Sequence, residues 1–303
     1  MKWLPIPESH GARFAELAAV FSACRDALRD VAHETDWRAA SGSLADQDHH
    51  DLSNHEPPYP THAVRAIPEV LYSYLFGAGE QLGGLAALYK CREVLLTPGV
   101  FVRTGLEFCA HVVWVLGTPV QPVDDRLARA YLERYVSFEQ AKMNLGRLLG
   151  KTDPQYSLER CRFEECRNEA QSIFPAPTAD GDGRAMFRGQ QMPGLEKCVT
   201  VMFESAEPPL SSARSEGIYG LMSNFSHPTL YAITRLWALV ERDGEVVPKL
   251  QLGLEDHEQR ARIAVVAFYT AFTRTMIYNG WTSPSHGRMT AEIDRLLPGT
   301  LVP

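Results

Sequence analysis

Ionisable residues recur at intervals of four in one strongly apolar segment of the chain. Within residues 97–123, the charged side chains and the imidazole are those of Arg103, Glu107 and His111, and aliphatic and aromatic residues surround them. A helix that is apolar on all sides is buried, and an interval of four residues places side chains on one helix face. Because an isolated buried charge is very costly, these three groups must have polar partners.

A second segment carries a polar row at the same interval. Tyr219, Ser223 and His227 are spaced by four residues on a predicted helix whose other positions are mostly apolar. We expect the two rows to face each other in one polar cluster. In that case Glu107 and Tyr219 must lie within about 12 Å of each other, since side chains further apart do not touch.

The residue types in these rows are suited to acid–base chemistry. Histidine is the side chain that ordinarily exchanges a proton near neutral pH, so His227 is the natural general acid or base. Tyr219 can donate a hydrogen bond, and the guanidinium of Arg103 can hold an anionic group. The candidate catalytic residues are His227, Glu107, His111 and Tyr219, and the candidate binding residues are Arg103, Ser223 and Asn224. The alternative is a satisfied core network with a purely structural role.

A metal site is a further alternative. Glu107 and His111 at i, i+4 could share a metal, with His227 as a third ligand of an open site. Carboxylate-bridged di-iron bundles instead repeat Glu-x-x-His on two helices, a spacing that differs from the one here. We therefore favour acid–base chemistry over metal-dependent oxidation, and the residues specify no particular cofactor.

Helical periodicity extends over most of the chain. The spacing of apolar residues predicts helices at 11–39, 68–96, 100–116, 124–149, 155–173, 195–206, 211–226, 229–241, 255–279 and 288–297. Loops are expected at 40–63, 97–99 and 174–194, and Asp243-Gly244 is typical of a short β-hairpin at 240–252.

This pattern predicts an all-α fold, an antiparallel helical bundle with at most one hairpin. We expect a single domain over 1–303, in which an N-terminal helix and polar loop (1–63) precede two helical halves (64–173 and 195–303) that flank the 174–194 loop. The halves are expected to cover each other, because each contains nearly all-apolar helices.

Composition limits the class of protein. The chain has 303 residues, is 45% hydrophobic and carries a net charge of -7, which excludes disordered and collagenous proteins. An acidic excess argues against a dedicated nucleic-acid binder. We expect no membrane span, a cytoplasmic protein and six reduced, buried cysteines, since the N-terminus has no signal-peptide pattern.

The histidine-rich stretch 46–62 has a composition that metals favour. It contains His49, His50, His55 and His62 together with several carboxylates. Because it lies in a predicted loop, the interpretation favoured here is a solvated surface segment.

The two polar rows resemble those of HEPN-like helical proteins, in particular one actinobacterial branch. That branch carries Arg-x-x-x-Glu on an early core helix and Tyr-x-x-x-Ser-x-x-x-His later, which correspond here to Arg103/Glu107 and Tyr219/Ser223/His227. The resemblance covers residues 64–280 and implies an antiparallel bundle, commonly dimeric, with these residues lining a central cleft. Many HEPN proteins are ribonucleases with Arg, four to six residues, then His; Arg103 and His111 are separated by seven, so that motif is absent.

The leading hypothesis is therefore an enzyme or binding protein for a small molecule, with a buried polar pocket between the helices that carry the two rows. We expect a homo-oligomer. The alternatives are an RNA-directed or defence protein of the HEPN type without the standard motif, and a structural interaction module.

Overall fold

The computed structural model describes residues 8–174, 178–179, 184–206, 208–227, 229–234, 236–242, 244–250 and 253–301. These residues form an all-α helical bundle with two small β-sheets. The helices are α1 (Glu8–Thr35), α2 (Leu44–Ser53), α3 (Thr61–Cys91), α4 (Thr97–Leu116), α5 (Val123–Leu148), α6 (Pro154–Ile173), α7 (Leu195–Glu204), α8 (Ser212–Ser226), α9 (Leu230–Thr234), α10 (Leu254–Asn279) and α11 (Pro284–Leu296). The predicted fold class is confirmed.

Helix α4 lies at the centre of the bundle. It packs against α3, α5, α7, α8 and α10, which explains why its sequence is apolar on nearly every face. Among the described residues it is the one helix long and apolar enough to cross a membrane, and 61% of that apolar stretch is buried inside the protein. A fully surrounded core helix has the same composition as a spanning one.

Glycine allows the close approaches that fix both ends of α4. A Cβ atom on Gly99 would lie 2.3 Å from Cγ of Phe225, so the ring of Phe225 on α8 can rest directly on the first turn of α4. Gly117 ends the helix with φ +60°, and a Cβ there would meet Gln121 Oε1 and Arg129 Nη1. Arg129 in turn donates to the carbonyl of Trp114 at 2.9 Å, which satisfies one of the free C-terminal carbonyls.

Two small antiparallel sheets flank the helices. Strands β1 (Thr178–Ala179), β2 (Ala185–Phe187) and β3 (Gln190–Gln191) form a three-stranded sheet in sequence order. Strands β4 (Trp237–Arg242) and β5 (Glu245–Leu250) form a hairpin in which Arg242 pairs with Glu245. The predicted hairpin is confirmed, and the predicted 174–194 loop contains the first sheet in its described part.

The N-terminal half departs from the prediction in three places. The predicted loop at 40–63 contains α2, which Ser43 caps by accepting a hydrogen bond from the backbone of Asp46. Pro68 does not open α3 but lies inside it, because the helix begins at Thr61 and ends at Cys91. The break falls at 92–96 rather than 97–99, so α4 begins at Thr97 with Pro98 in its first turn.

The C-terminal half differs mainly after α8. The predicted helix at 229–241 is limited to α9, since β4 begins at Trp237. The last helix begins at Pro284 instead of 288 because Ser283 caps it. All six cysteines are free, but Cys91 and Cys161 are exposed rather than buried.

Candidate functional site

The facing polar rows meet where α4 packs on α8. Arg103 and Glu107 come from the middle of α4, and Tyr219 and Ser226 from α8, whose C-cap residue is His227. We call these five residues the α4–α8 polar cluster. The oxygen atoms of Tyr219 and Glu107 are 3.3 Å apart, so the predicted meeting of the two rows is confirmed.

The guanidinium of Arg103 is the centre of this cluster. Its Nη1 atom contacts Ser226 Oγ and lies 3.3 Å from His227 Nε2, and its Nη2 atom donates to Tyr219 OH at 3.2 Å. The guanidinium carbon also lies 5.6 Å from the centroid of the Tyr219 ring. Because Nη1 can only donate, His227 accepts this bond through an unprotonated Nε2.

Glu107 balances the charge of Arg103. Its Oε1 atom lies 3.0 Å from Arg103 Nε as an ion pair and also accepts the hydroxyl hydrogen of Tyr219. The Nε–H does not point at that oxygen, so Arg103 Nε is a buried donor without a hydrogen bond. Its charge is nonetheless balanced by Glu107 at this distance.

The cluster lies at the edge of the protein rather than in its core. The side chains of Arg103 and Glu107 are 13% and 20% exposed, and His227 is exposed to solvent. This corrects the expectation of a buried pocket. Arg103 also faces the C-terminal end of α8, where the helix dipole favours a cation.

Packing around Phe225 holds the two helices at this distance. The ring rests on Gly99 of α4, and the guanidinium of Arg260 on α10 lies 4.5 Å from the ring centroid. Three helices therefore fix the register between α4 and α8 one turn away from Arg103.

His111 belongs to a different polar group, deeper in the bundle. Its Nδ1 atom lies 2.6 Å from Glu133 Oε1 on α5, and the hydroxyl of Tyr74 on α3 donates to Glu133 Oε2 at 2.7 Å. The rings of Tyr74 and His111 stack with centroids 5.1 Å apart. We call Tyr74, His111 and Glu133 the His111 triad; the side chains of His111 and Glu133 are only 9% and 2% exposed.

The triad lies in a strongly desolvated environment. Burial, and then the neighbouring carboxylate of Glu133, raise the pKa of Tyr74 well above its usual range. The same two causes raise the pKa of the nearby Cys198 thiol to about 12. Both groups are therefore neutral near pH 7, and Glu133 accepts hydrogen bonds from Tyr74 and His111 in the core.

The other predicted residues do not join Arg103 directly. Ser223 contributes its backbone carbonyl, which accepts from Ser226 Oγ, and Ser226 takes the predicted place of the Ser223 hydroxyl. Asn224 lines a separate small cavity beside Phe225.

Sequence reasoning missed Ser226, Tyr74 and Glu133. Glu133 closes the stretch 126–133 of α5, in which every residue is buried in the structure although three are charged. Such a charge on a buried helix face requires a partner.

The predicted metal ligands are not gathered. Glu107 and His227 both pair with Arg103, whereas His111 pairs with Glu133. Within the described residues no group of three or more His, Cys, Asp or Glu side chains could hold a metal ion.

Larger cavities lie elsewhere in the molecule. One of about 720 Å³ borders α10 and the end of α4, and one of about 320 Å³ lies between α2 and α3. Neither cavity is lined by a residue of the α4–α8 polar cluster. A ligand of the cluster would therefore be bound at a shallow surface.

Comparison with protein-family models, with curated proteins and with solved structures finds no match. The resemblance to HEPN-like proteins stays a prediction, and the geometry of the site is the basis for assigning function.

Proposed function

We propose that the protein binds a small anionic molecule at the α4–α8 polar cluster and acts on it by acid–base chemistry. Arg103 is the anion-binding residue, His227 the proton-transfer group, and Tyr219 and Ser226 position the ligand. The observation that carries this proposal is the single guanidinium that contacts Tyr219, Ser226 and His227 while paired with Glu107.

The outer nitrogen atoms of Arg103 support this role. Its Nε atom is buried beside Glu107, so a ligand would meet Nη1 and Nη2, which contact neutral groups of Ser226, His227 and Tyr219. A phosphate or carboxylate oxygen is a better acceptor for these donors, because charge-assisted bonds from arginine to such anions are among the strongest in proteins.

The exposed position of His227 also favours a ligand site. A proton-transfer group must reach the substrate within hydrogen-bond distance, and His227 is both exposed and bonded to Arg103. An anion that accepts the hydrogen bond of Arg103 Nη1 in place of His227 would free Nε2 of His227 to act as a base.

Binding is tested by calorimetry with inorganic phosphate and with acetate as probes. We expect saturable binding to the intact protein and at least about a tenfold weaker affinity for Arg103→Gln. Arg214→Gln is the matched control, because Arg214 lies on α8 but is exposed and away from the cluster. Equal affinity of the intact protein and Arg103→Gln would overturn the proposal.

Turnover is tested with p-nitrophenyl phosphate, which is anionic at neutral pH. Loss of a positioned acid or base typically lowers a rate by about 10²–10⁴-fold, so we expect His227→Gln to lose activity by that factor. Activity that is unchanged in His227→Gln would exclude it as the proton-transfer group.

An RNA-directed function is the second candidate. The observation that favours it is the contact between Arg103 Nη1 and His227 Nε2 at 3.3 Å, which brings an arginine and a histidine together without the contiguous motif. Incubation with an RNA oligonucleotide tests it. Cleavage that disappears in both Arg103→Gln and His227→Gln but persists in Arg214→Gln would support an RNA-directed function. If none of the proteins cleaves the RNA, or if all the variants cleave it as the intact protein does, this function is excluded.

A further inference from the structure

A second cavity, far from the α4–α8 polar cluster, lies between the end of α1, α2, α3 and the end of α10. Its volume is about 320 Å³, at the lower end of the range of small-molecule sites. We call it the Trp37 cavity, after the residue at the end of α1 that lines it. Its wall is mostly apolar, with a few polar groups whose hydrogen bonds define what it can accept.

Aromatic rings form one wall of the Trp37 cavity. Trp37 and Tyr72 both line it, and their ring centroids are 4.7 Å apart. Trp281 supports both rings, at 5.8 Å and 5.7 Å, and is itself anchored by its Nε1 donating to the carbonyl of Arg38. The wall is therefore rigid and offers π-electron density to a ligand.

The hydroxyl donors of the cavity wall, and the guanidinium behind Asp48, are already used. Tyr72 OH donates to Asn279 Oδ1 at 2.7 Å, and Tyr278 OH donates to Asp48 Oδ2 at 2.8 Å. Arg126 makes two bonds to Asp48, at 2.7 and 2.6 Å, and one to the carbonyl of Gln121. These bonds also neutralise Asp48, so it is not an available anion.

Acceptors, in contrast, remain available. Pro68 has no N–H, so the carbonyl of Val64 lacks its ordinary intrahelical donor, and both residues line the cavity. Asp46 also lines it; its Oδ2 accepts from the backbone of Gly42, and no cation pairs with it among the described residues. Arg38 is paired with Asp36.

The balance of these groups selects the ligand. With the Asp48–Arg126 and Asp36–Arg38 pairs each balanced, Asp46 leaves the lining with one unpaired carboxylate. We propose that the Trp37 cavity binds a small organic cation, an amine on a compact aromatic body, whose ammonium group bonds Asp46 and the Val64 carbonyl while its body packs on Trp37 and Tyr72.

Tryptophan fluorescence tests this at pH 7 with two probes of the same shape. Tyramine carries an ammonium group, and 4-hydroxyphenylacetate carries a carboxylate in its place. We expect saturable binding of tyramine with a Kd of about 1 mM or tighter, and at least about tenfold weaker binding of the carboxylate. Equal binding of both probes, or no binding of tyramine, would overturn the proposal.

Variants locate the site. Asp46→Asn removes the charge, whereas Asp51→Asn on the same helix changes an exposed carboxylate and is the matched control. We expect tyramine affinity to fall about tenfold in Asp46→Asn and to be unchanged in Asp51→Asn. Equal affinity in the two variants would contradict the assignment to Asp46. If Asp46→Asn fails to fold, the comparison of the two probes on the intact protein still decides.

Discussion

The polar row on α4 divides between two environments. Arg103 and Glu107 meet α8 at the edge of the protein, where His227 is exposed. His111, two turns further along the same helix, meets Glu133 and Tyr74 in the core. The two groups contain similar residue types, yet only the first can be reached by a ligand from solvent.

This difference separates function from stability. In the His111 triad the hydroxyl of Tyr74 and Nδ1 of His111 share one buried carboxylate, so its removal leaves both groups without that partner. In the α4–α8 polar cluster, water or a ligand can take the place of a lost partner. Substitutions in the triad should therefore affect folding, whereas those in the cluster should affect binding.

The largest expected effect is on the buried carboxylate. Glu133→Ala leaves His111 and the Tyr74 hydroxyl without their acceptor, and breaking a buried pair costs about 3–5 kcal/mol. Glu107→Ala removes a partly exposed ion pair worth about 1 kcal/mol or less. Urea unfolding followed by circular dichroism measures both; similar losses in the two variants would remove the distinction between the sites.

A second expected effect is a dependence of stability on pH that arises from a buried histidine. Burial, followed by the charge of Arg260, lowers the pKa of His257 from 6.5 to about 3. As the pH falls, the unfolded chain therefore takes up this proton first. The contribution is complete above pH 6.5 and is lost progressively towards pH 3, by up to about 4 kcal/mol.

A variant without this histidine separates its effect on stability from the effects of other groups that titrate in acid. The slope of unfolding free energy against pH between 6.5 and 3 should be smaller in His257→Gln than in the intact protein. Glutamine takes up no proton in this range, so the difference in slope measures the contribution of His257 alone. An unchanged slope in His257→Gln would show that His257 is not buried in its neutral form.

The two tyrosines give a smaller contrast of the same kind. Tyr74→Phe removes a bond to a buried carboxylate and should cost about 2 kcal/mol in unfolding free energy. Tyr219→Phe should cost about 0.5 kcal/mol, because its partners are reached by water, but it should weaken phosphate binding. Thermal unfolding and calorimetry on the same samples check this, and a greater loss of stability in Tyr219→Phe would reverse the assignment.

A small change is also expected in the stability of Arg103→Gln. Arg103 is 13% exposed, and its neutral replacement can still donate a hydrogen bond, so the loss should be within about 1 kcal/mol. Loss of phosphate binding with little loss of stability would support the distinction between a binding role for the α4–α8 polar cluster and a structural role for the His111 triad. A large loss of stability would instead make the cluster a structural network.

The sequence was sufficient to predict the α4–α8 contact but not the position of His111. Apolar surroundings and intervals of four indicated that Arg103, Glu107 and Tyr219 must find polar partners, and they do so with one another. Over the eight residues from Arg103 to His111, however, a helix turns by about 80° and rises about 12 Å. His111 therefore faces α5, and only the packing of the helices identifies Glu133 as its partner.

The unpredicted helix α2 has a similar origin. Its sequence is polar and rich in histidine, which is typical of a loop, but Leu52 and Asp48 are buried against the bundle. The Asp48–Arg126 pair joins residues far apart in the chain, a tertiary contact that no local pattern indicates. Pro68 led to a wrong predicted start for α3. A proline is a local signal for a helix start, but the packed helix tolerates this one within its second turn.

The most direct test follows His227 and His111 together in one sample. Nitrogen NMR of their ring atoms during a titration with inorganic phosphate compares the two environments without any substitution. Our account predicts that the His227 signals move saturably as phosphate takes up the donors of Arg103, while those of His111 stay in place. Signals of His227 that do not move, or that move no more than those of His111, would contradict it.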